Sequence, residues 1–150
     1  MPSSGPPDND PYDLQRFVDA QKRVFDAVRS ELRAGHKRTH WMWFIFPQLR
    51  GLGRSHMAHQ YGISTLAEAT AYMRHPVLGS RLQECTQLVN EVKERSVAQI
   101  FGSPDDMKFH SCMTLFARAT PDNDPFVTAL NRFFAGQEDP LVAGVLARLG

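Results

Sequence analysis

The residues of this chain best suited to chemistry fall in one stretch, His40-Trp41-Met42-Trp43-Phe44-Ile45-Phe46-Pro47-Gln48, followed by Gly51-Leu52-Gly53-Arg54-Ser55 and Tyr61-Gly62-Ile63. Both tryptophans of the chain lie within three positions of each other, and a helix drawn through them is apolar on every side. Such a helix is central or lines a pocket. Aromatic side chains at helical spacing are most often core, so the residues that flank them carry the functional reading. Trp41 or Trp43 would stack a planar ligand. Gly51 and Gly53 would let backbone N–H groups approach an anion, and Arg54 would supply a planar two-pronged donor for phosphate or carboxylate. Ser55 can open the next helix toward that anion. His40, Gln48 and Tyr61 are the polar candidates around it, although His40 serves equally well as a partner for a backbone carbonyl.

Other constellations are weaker. Gly-x-Gly here lacks the preceding strand and third glycine of a dinucleotide fingerprint and has no lysine at P-loop spacing. His56 and His59 stand at i, i+3, but no acidic residue or third histidine is near in sequence, so a surface pair is expected and no metal site. His110 and Cys112 are i, i+2 on an expected helix and should point apart, which argues against a nucleophile-and-base dyad. Lys108 or His110 can still reach the Arg54 region from a neighbouring helix. Asp105 and Asp106 suit the first turn of a helix through its dipole alone. Cys85 and Cys112, without Cys-x-x-Cys spacing, read as two reduced, largely buried thiols.

The elements that must position these groups are helical. Leu14, Phe17, Val18, Val24, Phe25, Val28 and Leu32 form one stripe, with Gln21 its single polar member and Gly35 placed to end a long amphipathic helix. Asp10-Pro11, Ser103-Pro104, Asp124-Pro125 and Asp139-Pro140 each set a capping side chain before a proline. Thr39 is expected to cap a short helix through Phe46, which Pro47 stops. Thr65-x-x-Glu68 resembles a capping box, and Pro76 opens a helix expected to reach about Arg95. A one-turn helix around Val97–Phe101 ends at Gly102. Met107, Met113, Leu115 and Phe116 are expected on the buried side of the next helix. Phe126, Leu130, Phe133 and Phe134, then Leu141, Val145 and Leu146, form the last two stripes. No alternating strand of six residues occurs. The sequence therefore predicts an all-α, multihelical single domain over residues 10–150, of roughly eight helices, after a disordered tail at residues 1–9.

Composition agrees with that reading. The chain has 150 residues, 42% hydrophobic and 22% charged, which suits one globular domain with its own core and excludes a fibrous or wholly disordered chain. The longest apolar run, Trp41 to Pro47, is far short of the roughly 20 residues that span a bilayer. The N-terminus lacks the basic and apolar regions of a secretory signal, so a cytoplasmic location is expected. The net charge is +1, yet Lys22 to Arg54 holds eight Lys and Arg against Asp26 and Glu31. That local excess of six charges can attract an anion to one face, but it is too small for a dedicated nucleic-acid binder.

Several motifs resemble a known family. Asp13-Leu14-Gln15-Arg16-Phe17, the stretch His40 to Gln48, Gly51-Leu52-Gly53, His75-Pro76-Val77-Leu78-Gly79 and Ile100 to Lys108 are similar to a bacterial and fungal family of unknown function, the DUF family numbered 1810. The resemblance runs from about Asp10 to Leu146. It implies a compact, all-helical cytosolic domain and brings no activity. Members sometimes carry a calpastatin-like label, but nothing in this chain resembles an extended protease-inhibitor repeat. A fainter similarity, through the Phe-rich helices of Met107 to Leu146 and a Gly-x-x-Asp, is to YbiA-like enzymes acting on ADP-ribose N-glycosidic bonds. No catalytic motif of theirs matches residue by residue.

The leading expectation is a domain that binds a small anionic metabolite, nucleotide or ADP-ribose-like, in an aromatic-walled, basic-rimmed cleft. Its ligand-binding candidates are Trp41, Trp43, Gln48, Gly51, Gly53, Arg54, Ser55, Tyr61 and Lys108. A protein–protein interaction domain without catalysis is the first alternative, with the basic stretch meeting an acidic partner. The second is an N-glycosidic-bond hydrolase of ADP-ribose-type substrates, with His40 or His110 in acid–base work. No cofactor, metal or membrane partner is expected.

Overall fold

Short polar side chains cap several of the helix starts, though not every one the sequence offers. In a computed structural model, which describes residues 10–149, ten helices follow in order. They are α1 (Gln15–Lys22), α2 (Phe25–Arg33), α3 (Met42–Ile45), α4 (His56–Gln60), α5 (Leu66–Arg74), α6 (Leu78–Asn90), α7 (Val97–Phe101), α8 (Asp105–Ala119), α9 (Asp124–Phe134) and α10 (Pro140–Leu149). Among the described residues there is no strand, only an isolated parallel bridge from Leu49 to Ile63. None of these helices is long and apolar enough to cross a membrane. The tail expected over residues 1–9 lies outside the described residues.

The capping side chains act at differing range. Thr65 Oγ1 accepts from Glu68 N, Ser55 from Ala58 N, and Asp139 Oδ1 from Leu141 N, each at a helix start. Asp10 works from further away, its carboxylate taking Leu14 N and Gln15 N across a turn. Asp124 lies inside α9 as its first residue, after Asn123. The Ser103-Pro104 pair supplies no side-chain cap. α8 begins at Asp105.

Four further expectations need correction. The single long helix breaks at Arg23–Val24, because α1 packs on α3, with Gln21 bonded to Phe44 O, while α2 packs on α6. One straight rod cannot meet both partners. Thr39 caps nothing: its hydroxyl donates to Glu31, and α3 is a four-residue helix that follows Trp41. α6 stops at Asn90 rather than Arg95, since the chain turns at Glu94 (φ 62°) and Val92 tucks beneath Gly35. Met107 and Leu141 are 65% and 64% exposed, while Met113, Leu115, Phe116 and Leu146 bury as expected and Phe109, Cys112 and Val142 complete the buried faces of α8 and α10.

The core centres on α8, against which α5, α7, α9 and α10 pack. Phe109 is its hub: the ring stacks on Phe101 at 4.7 Å and meets Phe46 edge-on at 5.1 Å, with Phe133 and Phe134 beyond. Truncating such a buried aromatic costs about 3–5 kcal/mol. Through Phe46 this hub fixes the end of the aromatic segment, and so the place of every side chain before it.

Candidate functional site

Three devices hold the aromatic segment. At its start Glu31, buried on α2, takes bonds from Arg38 N, Thr39 N, the Thr39 hydroxyl and Trp41 Nε1 at 2.7–3.0 Å. Burial alone would raise this carboxyl. The bonds from Arg38, Thr39 and Trp41 outweigh it and hold Glu31 below its ordinary value. In the middle, the buried Gln21 amide donates to Phe44 O at 2.7 Å and to the Tyr72 hydroxyl at 3.1 Å. Beyond the segment, Ile63 N donates to Gln48 O and Arg50 N to Ile63 O, which ties together the two ends of the loop carrying α4. Arg16 locks the same loop from α1, reaching Gln60 O, Gly62 O and the Glu68 carboxylate.

These supports shape a narrow crevice of about 10 Å³, lined by Met42, Trp43, Phe46, Gln48, Ala58, Tyr61, Gly62 and Lys108. That volume holds about one water. Trp43 Nε1 is shielded from solvent and has no hydrogen-bond partner. Lys108 Nζ sits 5.5 Å from the centre of the Trp43 ring. Lys108 and Lys37 share the single carboxylate of Asp105, at 3.5 and 2.9 Å, so one positive charge is left over at the crevice. Tyr61 forms the far wall, its ring against Phe17 and Phe44.

The family model described as "Protein of unknown function (DUF1810)" matches residues 11–146. The chain belongs to that family. It is similar to a solved structure, the conserved hypothetical protein Rv1873 from Mycobacterium tuberculosis, at 59% identity over 92% of this chain and 99% of that one, with a TM-score of 0.91. Among curated proteins none matches.

In this DUF1810 domain, four of the nine expected binding residues meet at the crevice: Trp43, Gln48, Tyr61 and Lys108. Trp41 does not. It is fully buried, with its N–H spent on Glu31 and Lys37 Nζ 5.0 Å over its ring, so it cannot stack a ligand. Gly53 serves packing, since a Cβ there would come within 2.8 Å of the Ala58 side chain. Gly51 stands in the open at φ 98°, a turn position that favours glycine. Arg54 and Ser55 are exposed and do not line the crevice, and the Ser55 hydroxyl oxygen accepts from Ala58 N as the cap of α4. His40 is exposed. His110 turns the other way, its Nε2 at 2.7 Å from Gln137 O and its ring stacked on Phe134. His56 and His59 lie exposed on α4, and among the described residues no three metal-ligating side chains converge.

A much larger groove, about 910 Å³, runs past Tyr12, Leu14, Ala67, Ala71 and Arg74. Most of its polar groups are already satisfied within the chain. Asp10 caps α1, His75 Nδ1 accepts from Val77 N and Leu78 N, and the Thr70 hydroxyl donates to Ala119 O. Arg74 is exposed to solvent there, whereas the crevice differs in offering a donor that is shielded from solvent and has no partner. Sequence reasoning missed Met42, Phe46, Ala58 and Gly62 as its walls, because apolar residues in a core-forming stretch carry no signal of which side stays open.

Proposed function

We propose that the domain binds a small anionic ligand, a phosphate or carboxylate compound, at the mouth of the Trp43 crevice. One observation carries the reading: a shielded indole N–H without an acceptor lies beside an ammonium group with charge to spare. A buried donor left unpaired costs about 1–3 kcal/mol, and an incoming oxygen relieves that cost. A single ligand oxygen fits the available space and a nucleobase does not, so the body of a nucleotide or ADP-ribose-like ligand would lie outside, over Tyr61 and the loop at Gly51–Ser55. Trp43 then acts as a donor rather than a stacking platform. The lining holds no Asp, Glu or His, so nothing at the crevice favours the glycosidic-bond hydrolase alternative.

Thermal unfolding against nucleotides, NAD, ADP-ribose, sugar phosphates and dicarboxylates tests this directly. A ligand at 100 times its Kd adds about 2.7 kcal/mol, a shift of several degrees in a domain of this size. The shift should shrink in both Trp43→Phe and Lys108→Met. A panel that leaves the wild-type midpoint unmoved would turn the reading to an interaction domain whose basic stretch meets an acidic partner, detected as salt-sensitive capture.

A further inference from the structure

A second feature of the basic stretch lies away from the crevice, where the break between α1 and α2 faces α6. The groove there has a volume of about 410 Å³, and its polar lining includes Lys22, Arg23, Arg29 and Arg81 with Asp26, Glu84 and Ser80. Arg29 and Arg81 both pack on the Phe25 ring, their guanidinium carbons 4.6 and 4.8 Å from its centre. Their electrostatic situations differ. Arg29 is held by both oxygens of Glu84, at 2.7 and 3.1 Å, and lies 3.8 Å from Asp26. Arg81, among the described residues, has no carboxylate within 4.0 Å and donates only to Gln21 Oε1, at 3.2 Å.

That one bond fixes the group. Gln21 is buried and its NH₂ is committed to Phe44 O and the Tyr72 hydroxyl, so its oxygen must face Arg81. With Phe25 beneath it and Gln21 beside it, the guanidinium is held in place before any ligand arrives, while most of its N–H groups stay unspent. Both carboxylates of the groove are engaged by Arg29, and the four cations exceed them by two charges. We propose that this groove binds a soluble phosphate monoester as its dianion. Arg81 would grip two phosphate oxygens, Ser80 would donate its hydroxyl, and Lys22 and Arg23 would close the rim.

The test is a titration of ¹⁵N-labelled protein with inorganic phosphate and with glycerol 3-phosphate, at constant ionic strength against chloride. Saturable shifts should gather at Ser80, Arg81, Lys22 and Arg23, and Arg81→Gln should weaken binding at least tenfold. Arg81→Gln also removes packing on Phe25, so the exposed pair Lys22→Gln/Arg23→Gln provides a second variant, with a loss of about threefold for a rim that adds charge at high dielectric. Lys108→Met at the crevice should leave the shifts at Ser80, Arg81, Lys22 and Arg23 unchanged, which separates the two sites. The proposal is overturned if phosphate does no more than chloride at these four residues, if both groove variants bind there as wild type does, or if their shifts follow Lys108. Sedimentation with phosphatidic acid vesicles, without any response to soluble phosphate, would also overturn it.

Discussion

Trp41 and Trp43 stand two residues apart on the same short segment, and the fold treats them oppositely. The Trp41 indole is fully buried, its N–H is bonded to a carboxylate that three other donors also use, and a lysine caps its ring. The Trp43 indole is partly exposed, its N–H faces no acceptor, and its ring lies under a lysine that is only partly neutralised. The first arrangement is complete without a ligand. The second is incomplete, and that difference separates a structural aromatic from a candidate recognition group where residue type and neighbourhood in sequence do not.

The contrast can be broken most forcefully at Trp41. Trp41→Ala should cost about 3–5 kcal/mol in urea unfolding, as for any large buried aromatic, and a loss under about 1 kcal/mol would mean the ring is not core. Next, Glu31→Gln should cost roughly 2–3 kcal/mol, because one charged acceptor serves four donors and hydrogen bonds to charged groups exceed neutral ones. The same substitution should alter the acid response. Glu31 and Glu138 both lie below their ordinary value of 4.5 in the folded chain, Glu138 through the hydrogen bond from Arg118 and Glu31 because its bonds outweigh burial. The unfolded chain therefore takes up protons first. Their stabilisation is fully present above the ordinary carboxylate range and is lost as pH falls through the folded values. Unfolding midpoints from pH 7 to pH 3 should drop less steeply in Glu31→Gln, and parallel curves would show that Glu31 contributes nothing to that slope. Smallest of all, Trp43→Phe should change stability by no more than about 0.5 kcal/mol in either direction, since the lost contacts are offset by removal of an unpaired donor. Should Trp43→Phe cost as much as Trp41→Phe, the distinction between the two indoles fails.

Much of the helical architecture was legible because its signals are local. Thr65, Ser55 and Asp139 cap where their spacing said they would, and the apolar stripe of α9 buries largely as read. What escaped depends on partners distant in the chain. The break at Arg23–Val24 answers to α3 and α6 rather than to any helix-breaking residue. Gln21 stood out as one polar residue in an apolar stripe, but its three partners come from positions 44, 72 and 81. Glu31 read only as a minus sign in a basic stretch, since nothing local shows that the chain will fold back over it. At the site, Lys108 was legible as a reach from a neighbouring helix, whereas Arg54 attracted attention through a Gly-x-Gly that serves a turn and the close packing of Ala58.

The two cysteines give this domain its own clock. Cys85 and Cys112 are buried on α6 and α8, and burial pushes the first thiol up to about 12 and the second well above 9. In the closed fold neither offers the thiolate that alkylating reagents attack. Labelling must therefore wait for the helices to part, and its rate counts how often they do. No probe need be introduced to follow how each substitution above changes the frequency of opening.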